Sequence, residues 1–185
     1  MNLGLFLVSL AVCLALDMSF LDLVEMGGVH PSVTVTLLVF VSLFAPRQTA
    51  LWAALGTGLL VDLVSPVTDA AGEAFHLPGP YALGYVFGTQ LVLLLRSMVF
   101  RRNPIAVGIL TMPYVVAVGL AFMAVWSLRG VLLGSDPPWS GEPVTAEIFR
   151  WFGRAIYSGL FGIPFGWLLL TTWPVWRFDM SSVRR

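Results

Sequence analysis

The chain has 185 residues, of which 58% are hydrophobic and 11% are charged, with a mean hydropathy of +0.88. Soluble domains carry roughly 25% charged residues, so this composition excludes an ordinary soluble enzyme. Ten arginines balance ten acidic residues and there is no lysine, and this neutral balance provides no basic surface for nucleic acid.

Six long apolar segments predict an all-α fold, a polytopic integral membrane helical bundle with six transmembrane helices. Because an α-helix rises 1.5 Å per residue, crossing ~30 Å of hydrocarbon takes ~20 residues. We treat residues 1–185 as a single membrane domain, since no repeat or low-complexity tract divides the chain. The predicted spans are residues 3–21, 32–45, 49–65, 80–100, 105–128 and 149–176.

Helix-breaking residues support these boundaries. Pro31 precedes the second span, Pro46 follows it, and residues 101–104 separate the fourth span from the fifth. The second span is short, but a re-entrant segment here would leave Arg47 at membrane depth, at a cost of at least ~2.5 kcal/mol. We therefore predict two crossings joined by a tight turn. The first segment contains no basic residue, so we expect a retained span rather than a cleaved signal.

Two connections are long, residues 66–79 and 129–148. The second contains Gly-Ser-Asp-Pro-Pro-Trp-Ser-Gly-Glu-Pro, which has too many helix breakers for a packed domain. Pro113 and Pro164 lie inside predicted spans. We expect them to kink these helices rather than end them, because neighbouring helices can satisfy the freed carbonyls.

The distribution of arginine predicts the orientation, since cytoplasmic loops carry the excess of positive charge. With both termini cytoplasmic, the inner side holds Arg47, Arg96, Arg101, Arg102, Arg177, Arg184 and Arg185, and the outer side holds Arg129, Arg150 and Arg154. We expect Arg96 to snorkel to the cytoplasmic interface. The predicted aromatic belts contain Trp52, Trp173 and Trp176 on the inner side and Trp126 and Trp151 on the outer side.

Asp17 and Asp62 lie inside apolar segments, and an intramembrane acid is by default a candidate functional residue. For Asp17 the alternative is a position at headgroup level or a hydrogen bond to a neighbouring helix. Asp62 ends a stripe of small residues, Ala50, Ala54 and Gly58, spaced four apart on one helix face. We expect its carboxyl to point into the bundle, either for a structural interhelix hydrogen bond or for contact with a ligand or partner.

The sequence lacks the common signatures of enzymes. His30 and His76 lie in predicted outer loops without a His-Glu-x-x-His zinc pattern, and there is no nucleophile elbow or phosphate-binding glycine loop. A single cysteine, Cys13, excludes an intrachain disulfide and a cysteine metal cluster. We predict no catalytic residue, no cofactor and no metal site.

The order of the motifs resembles the MreD family, the rod shape-determining membrane proteins of bacteria. Pro31 opens the second span, the sequence Gly-Leu-Leu-Val-Asp at residues 58–62 ends the third, and Leu-Pro-Gly-Pro-Tyr-Ala-Leu-Gly-Tyr at residues 77–85 opens the fourth. The arginine-rich stretch at residues 96–102 fits as well. The match covers about residues 30–125 by motif and the whole chain by number of spans, and neither Asp17 nor the 129–148 connection has a counterpart in the family pattern.

The resemblance implies a non-enzymatic, multi-pass component of the bacterial inner (cytoplasmic) membrane. It would act in the cell-elongation (rod) complex and in lateral peptidoglycan synthesis, with an MreC-like protein, MreB, RodA and a penicillin-binding protein as partners. We expect the partner-binding or architectural centre to contain Gly58, Asp62, Gly79, Pro80 and Gly84.

Two other functions remain open. One is a small-molecule carrier or the substrate-capture subunit of a vitamin-type transporter, since such subunits resemble MreD in fold. The other is an intramembrane enzyme, whose activity would depend on Asp62 or His76.

Overall fold

The computed structural model describes residues 2–19, 29–68, 74–99, 103–134, 137–139, 141 and 143–176. Within these residues the fold is all-helical apart from one short β-ladder, and the predicted number of six helices is confirmed. The helices are α1 (Leu3–Ser19), α2 (Val33–Phe44), α3 (Arg47–Val64), α4 (Pro80–Leu95), α5 (Pro104–Leu133) and α6 (Val144–Thr171). Strands β1 (Val67–Thr68) and β2 (Ala74–Phe75) pair antiparallel between α3 and α4, and a 3₁₀ helix, Trp173–Trp176, follows α6.

The fifth helix has clear start and stop signals. The Asn103 side chain accepts a hydrogen bond of 3.0 Å from the backbone N–H of Ile105, directly before the first turn. Gly134 follows the last residue with a φ of 64°, a left-handed conformation that glycine adopts without steric cost and that ends helices. As a result α5 reaches Leu133 rather than residue 128. It also continues through Pro113, as α6 continues through Pro164.

The connection after α5 is shorter than predicted, because α6 begins at Val144 rather than at residue 149. Trp139 of this connection is 7% exposed and packs against Phe122, with 6.3 Å between ring centroids. The sequence predicted only that this connection is no packed domain, and it gave no sign that Trp139 packs against the bundle. A large aromatic side chain gains enough from burial to hold a proline-rich segment against the bundle.

Helix α2 is the centre of the bundle. Residues 33–43 are all buried, and α2 packs against α1, α3, α4, α5 and α6. A helix that is apolar on every side is typical of a position enclosed by other helices. Its 12 residues rise only about 18 Å, so both of its ends lie inside the body of the bundle.

The carboxyl end of α2 is held by Arg96, which lies just after α4. Its Nη1 donates to the carbonyl oxygen of Ala45 at 3.2 Å and to that of Ser42 at 3.5 Å. The guanidinium thus pairs with carbonyls that no helix residue can satisfy, and its charge complements the negative end of the helix dipole. The prediction that Arg96 only snorkels to the interface missed this contact.

Glycines set the distance between α3, α4 and α5. A Cβ on Gly58 would lie 2.4 Å from the Cα of Ala82, and a Cβ on Gly84 would lie 3.1 Å from the Cα of Val118. Such short distances mean that the helix backbones touch at these points, as small-residue stripes allow. The stripe that ends at Asp62 faces inward, as the sequence predicted.

Large apolar side chains cover the outside of the bundle. Among the described residues one helix, α5, combines the length and the apolar composition that crossing a membrane requires, whereas α1, α2 and α4 are apolar but shorter.

The predicted aromatic belts are wrong for Trp126, Trp151 and Trp176, which are buried inside the bundle, while Trp52 is 66% exposed. Sequence position placed these rings near helix ends, but helix packing decides which way they point.

Gly58 and Gly56 provide a matched test of the α3–α4 contact. Gly58→Ala should lower the free energy of unfolding by about 1–3 kcal/mol, because the added methyl collides with the backbone of Ala82. Gly56→Ala should be neutral or stabilising by up to about 1 kcal/mol, since nothing lies within 4 Å of its added Cβ and alanine favours the helix. Thermal unfolding in neutral detergent measures both, and equal melting temperatures for the two variants would contradict the packing described here.

Candidate functional site

Asp62, on the last turn of α3, caps the first turn of α4. Its Oδ2 accepts hydrogen bonds from the backbone N–H groups of Gly79 (2.8 Å) and Ala82 (3.1 Å), and its Oδ1 accepts one from Tyr81 (3.0 Å). The residue before α4 is Gly79, which has no side chain to cap the helix. A carboxylate from the neighbouring helix therefore satisfies N–H groups that would otherwise be unpaired, and it meets the positive end of the helix dipole.

Asp17, near the end of α1, does the same for α2. Its Oδ1 accepts from the backbone N–H of Val33 (2.7 Å), and its Oδ2 accepts from the N–H of Thr34 (3.1 Å) and the hydroxyl of Ser32 (2.9 Å). The alternative of an interhelix hydrogen bond is thus what the structure contains. Ser158 of α6 joins the same point, because its Oγ accepts from the backbone N–H of Ser32 at 3.0 Å.

The five residues predicted as a centre do come together, where α3, α4 and α5 meet. Gly58, Asp62, Pro80 and Gly84 are buried, and Gly79 precedes α4 with a φ of 134°. The contacts found for them include one another and Tyr81, Ala82 and Val118 of the same chain. These are the contacts of an architectural junction, which is one of the two roles that the sequence allowed.

A cavity of about 250 Å³ lies at the end of the bundle where α2, α4 and α6 begin. It is lined chiefly by aromatic and basic side chains: Val29, His30, Tyr81, Phe122, Pro138, Trp139, Glu147, Arg150, Trp151 and Arg154. From the distribution of charge alone, Arg150 and Arg154 are predicted only to lie on the outer side. Their four-residue spacing, which places both on one face of a helix, was the signal that could have found them.

Four polar groups of this cavity are paired. Arg150 Nε lies 3.5 Å from a Glu147 carboxylate oxygen. An Arg154 guanidinium nitrogen lies 2.9 Å from His30 Nε2, and the same guanidinium stands 5.3 Å from the centroid of the Trp151 ring. Both arginines are therefore held in defined positions beside open space.

An apolar groove separates α1 from α3 at the opposite end. Its volume is about 420 Å³, and its walls are Leu3, Phe6, Leu7, Leu10, Thr49, Trp52, Ala53, Gly56, Thr57 and Leu60. Helix α1 packs against α2, so one side of α3 is left open. Along α3 the groove runs from Thr49 to Leu60, about 16 Å or three helical turns.

The described residues contain no group of three or more His, Cys, Asp or Glu side chains placed to hold a metal ion. His76 is exposed after β2, and His30 lines the cavity instead. Cys13 is buried within α1 as a free thiol.

Comparison with known proteins gives no family: no protein-family model, no curated protein and no solved structure matches this chain. The function must therefore be argued from the junction, the cavity and the groove themselves.

Asp62→Asn should destabilise the fold. Whichever oxygen becomes an amide nitrogen, at least one N–H of Gly79, Tyr81 or Ala82 then faces a donor. A buried donor without a partner costs about 1–3 kcal/mol. We expect a lower melting temperature in neutral detergent and faster amide exchange over residues 79–82.

The control for this variant is Glu147→Gln, which removes an i,i+3 ion pair at 3.5 Å whose Arg150 side chain is 42% exposed, and which should cost less than about 1 kcal/mol. If the Asp62→Asn variant has the melting temperature of the wild type and the same amide exchange over residues 79–82, Asp62 does not stabilise the start of α4.

Proposed function

We propose that this chain is a six-span integral protein of the bacterial cytoplasmic membrane that acts, like the MreD family it resembles, as a non-enzymatic scaffold of the cell-elongation complex. The observation that carries the scaffold role is the open apolar groove between α1 and α3. Its proposed occupant is the single transmembrane helix of an MreC-like protein. MreB, RodA and a penicillin-binding protein would join through the larger complex.

The outward faces of the helices support insertion in a bilayer. Every helix except the enclosed α2 exposes large apolar side chains, among them Leu7, Leu63, Phe87, Leu120 and Ile156. Soluble monomers rarely expose contiguous apolar patches larger than a few hundred Å², so lipid is the solvent that such a surface requires. The short α2 is enclosed by the other helices, and its capped ends keep its backbone groups paired where water is absent.

The proposed topology can be tested with reporter fusions. A reporter active only in the cytoplasm should work when fused after Arg185, because the predicted inner side holds seven of the ten arginines. A reporter active only in the periplasm should work when inserted after His76, between α3 and α4. The unfused protein should stay with the membrane in alkaline carbonate, and its release there would contradict the whole proposal.

The groove is better suited to binding an apolar helix than to binding the polar head group of a lipid. Its lining is mostly apolar, and the polar side-chain atoms in it are the hydroxyls of Thr49 and Thr57 and the indole N–H of Trp52. Gly56 has open space in front of its Cα, and a glycine in that position lets a second helix approach to van der Waals distance. Trp52 and Leu60 flank the opening and are exposed by 66% and 41%, so they are available to close over an incoming helix.

Gly56→Leu should block the partner without unfolding the protein. The side chain would fill the groove, while leucine favours the helix and meets no neighbour within 4 Å of its Cβ. We expect at least a tenfold loss of co-purified MreC-like protein from the same genome, together with swollen cells when the variant replaces the wild type.

The matched control is Ala124→Leu, the same kind of enlargement at an exposed position on α5, which should leave capture unchanged. Equal capture by Gly56→Leu and the wild type, at equal membrane levels, would place the partner elsewhere. A genome without MreB and MreC reading frames would remove the basis of the proposal altogether.

A second candidate function is a small-molecule carrier or the substrate-capture subunit of a transporter. The cavity at the start of α2, α4 and α6 is the observation that favours it. The two functions differ in what the purified protein retains. A carrier copurifies with a small ligand, whereas a scaffold copurifies with another protein.

A further inference from the structure

The cavity beside Arg154 has a second cavity next to it. This second cavity, of about 240 Å³, contains Asp17, Ser32 and Ser65 in its lining and also shares His30, Tyr81 and Arg154 with the first. A third, much smaller cavity of about 10 Å³ is also lined by Tyr81 and Arg154. Arg154 therefore lines all three cavities.

Within the part of the chain that the structure describes, Arg154 is not ion-paired with an acid. Among the described residues no carboxylate oxygen lies within 4.0 Å of its guanidinium. Glu147 pairs with Arg150, and both oxygens of Asp17 already accept hydrogen bonds from the start of α2. With its remaining N–H groups beside open space, the guanidinium is suited to a bidentate phosphate or carboxylate.

The other walls define the rest of the ligand. Tyr81, Phe122, Trp139 and Trp151 line the first cavity, together with the two arginines. Mostly apolar walls with a few convergent polar groups are typical of small-molecule sites. Each cavity is smaller than the ~300–1,000 Å³ of a drug-sized ligand site, so the ligand portion inside must be small.

We infer that this cavity binds an organic anion, with a phosphate or carboxylate held by Arg154 and Arg150 and an adjoining ring or short apolar portion against Tyr81, Trp139 and Trp151. The anion belongs either to a soluble metabolite or to a lipid head group, since both sources present the same chemistry. The inference does not depend on the scaffold role, because the groove and the cavity lie at opposite ends of the bundle.

The test uses the full chain, purified alone in neutral detergent, and two matched pairs of probes. Phenyl phosphate is compared with phenol, and dioctanoyl phosphatidic acid with dioctanoylglycerol, by isothermal titration calorimetry. We expect at least one phosphorylated probe to bind saturably and at least tenfold more tightly than its unphosphorylated counterpart. Binding of phenyl phosphate alone identifies a soluble ligand, binding of phosphatidic acid alone identifies a lipid head group, and binding of both confirms the shared chemistry.

Arg154→Gln should weaken that binding at least tenfold, whereas Arg154→Lys should retain part of it. The matched control is Arg47→Gln, which removes an exposed arginine that contacts Gln90 at the other end of the bundle and should bind like the wild type. If Arg154→Gln does not fold, Arg150→Gln takes its place, because the Arg150 side chain is 42% exposed.

Two results would overturn the inference. One is that neither phosphorylated probe binds more tightly than its counterpart. The other is that a folded Arg154→Gln or Arg150→Gln protein binds as the wild type does. Either result leaves the scaffold proposal standing, since no partner protein is present in the assay.

Discussion

The constraint on which this structure depends is that α2 starts and ends, and α4 starts, at buried positions, where the terminal N–H and C=O groups need partners from the chain itself. Asp17 caps the start of α2, Asp62 caps the start of α4, and Arg96 binds the last carbonyls of α2. Each charge matches the sign of the helix end that it meets. Removing a partner would leave several buried backbone groups unpaired, and that cost explains why charged side chains lie within segments that are otherwise apolar.

The same arrangement occurs twice along the chain, and it determines where the cavity lies. An acid near the end of α1 caps α2 and an acid near the end of α3 caps α4, so α2 and α4 begin at the same end of the bundle. α6 begins there too, but its first residue is preceded by Pro143, which makes no side-chain cap. Two of these helix starts are matched by carboxylates from neighbouring helices, whereas α6 carries Glu147 in its own first turn, where it pairs with Arg150. The three helix starts together surround the cavity.

The sequence could predict the helices, their order and the inward face of α3, because long apolar runs and four-residue stripes are local patterns. The sequence left open whether Asp17 and Asp62 bind a ligand or a neighbouring helix. Their partners are mainly backbone N–H groups, which nearly every residue has, so no residue type identifies them. The sequence also missed the contact of Arg96 and the burial of Trp126 and Trp151, since both depend on which helices pack together. The cavity draws residues from five separated stretches of the chain, and only the Arg150 and Arg154 spacing pointed towards it.

Two glycines on α3 show how one helix serves two tasks. Gly58 and Gly56 are two residues apart, so they lie about 200° apart around the helix and face opposite directions. Gly58 packs against the backbone of Ala82 and so sets the position of α4, whereas Gly56 lines the apolar groove. Because the same rigid helix carries Asp62 at its end, a partner helix that packs on Gly56 would rest on the element that positions α4. The shape of the groove and the capping of α4 therefore both depend on the position of α3.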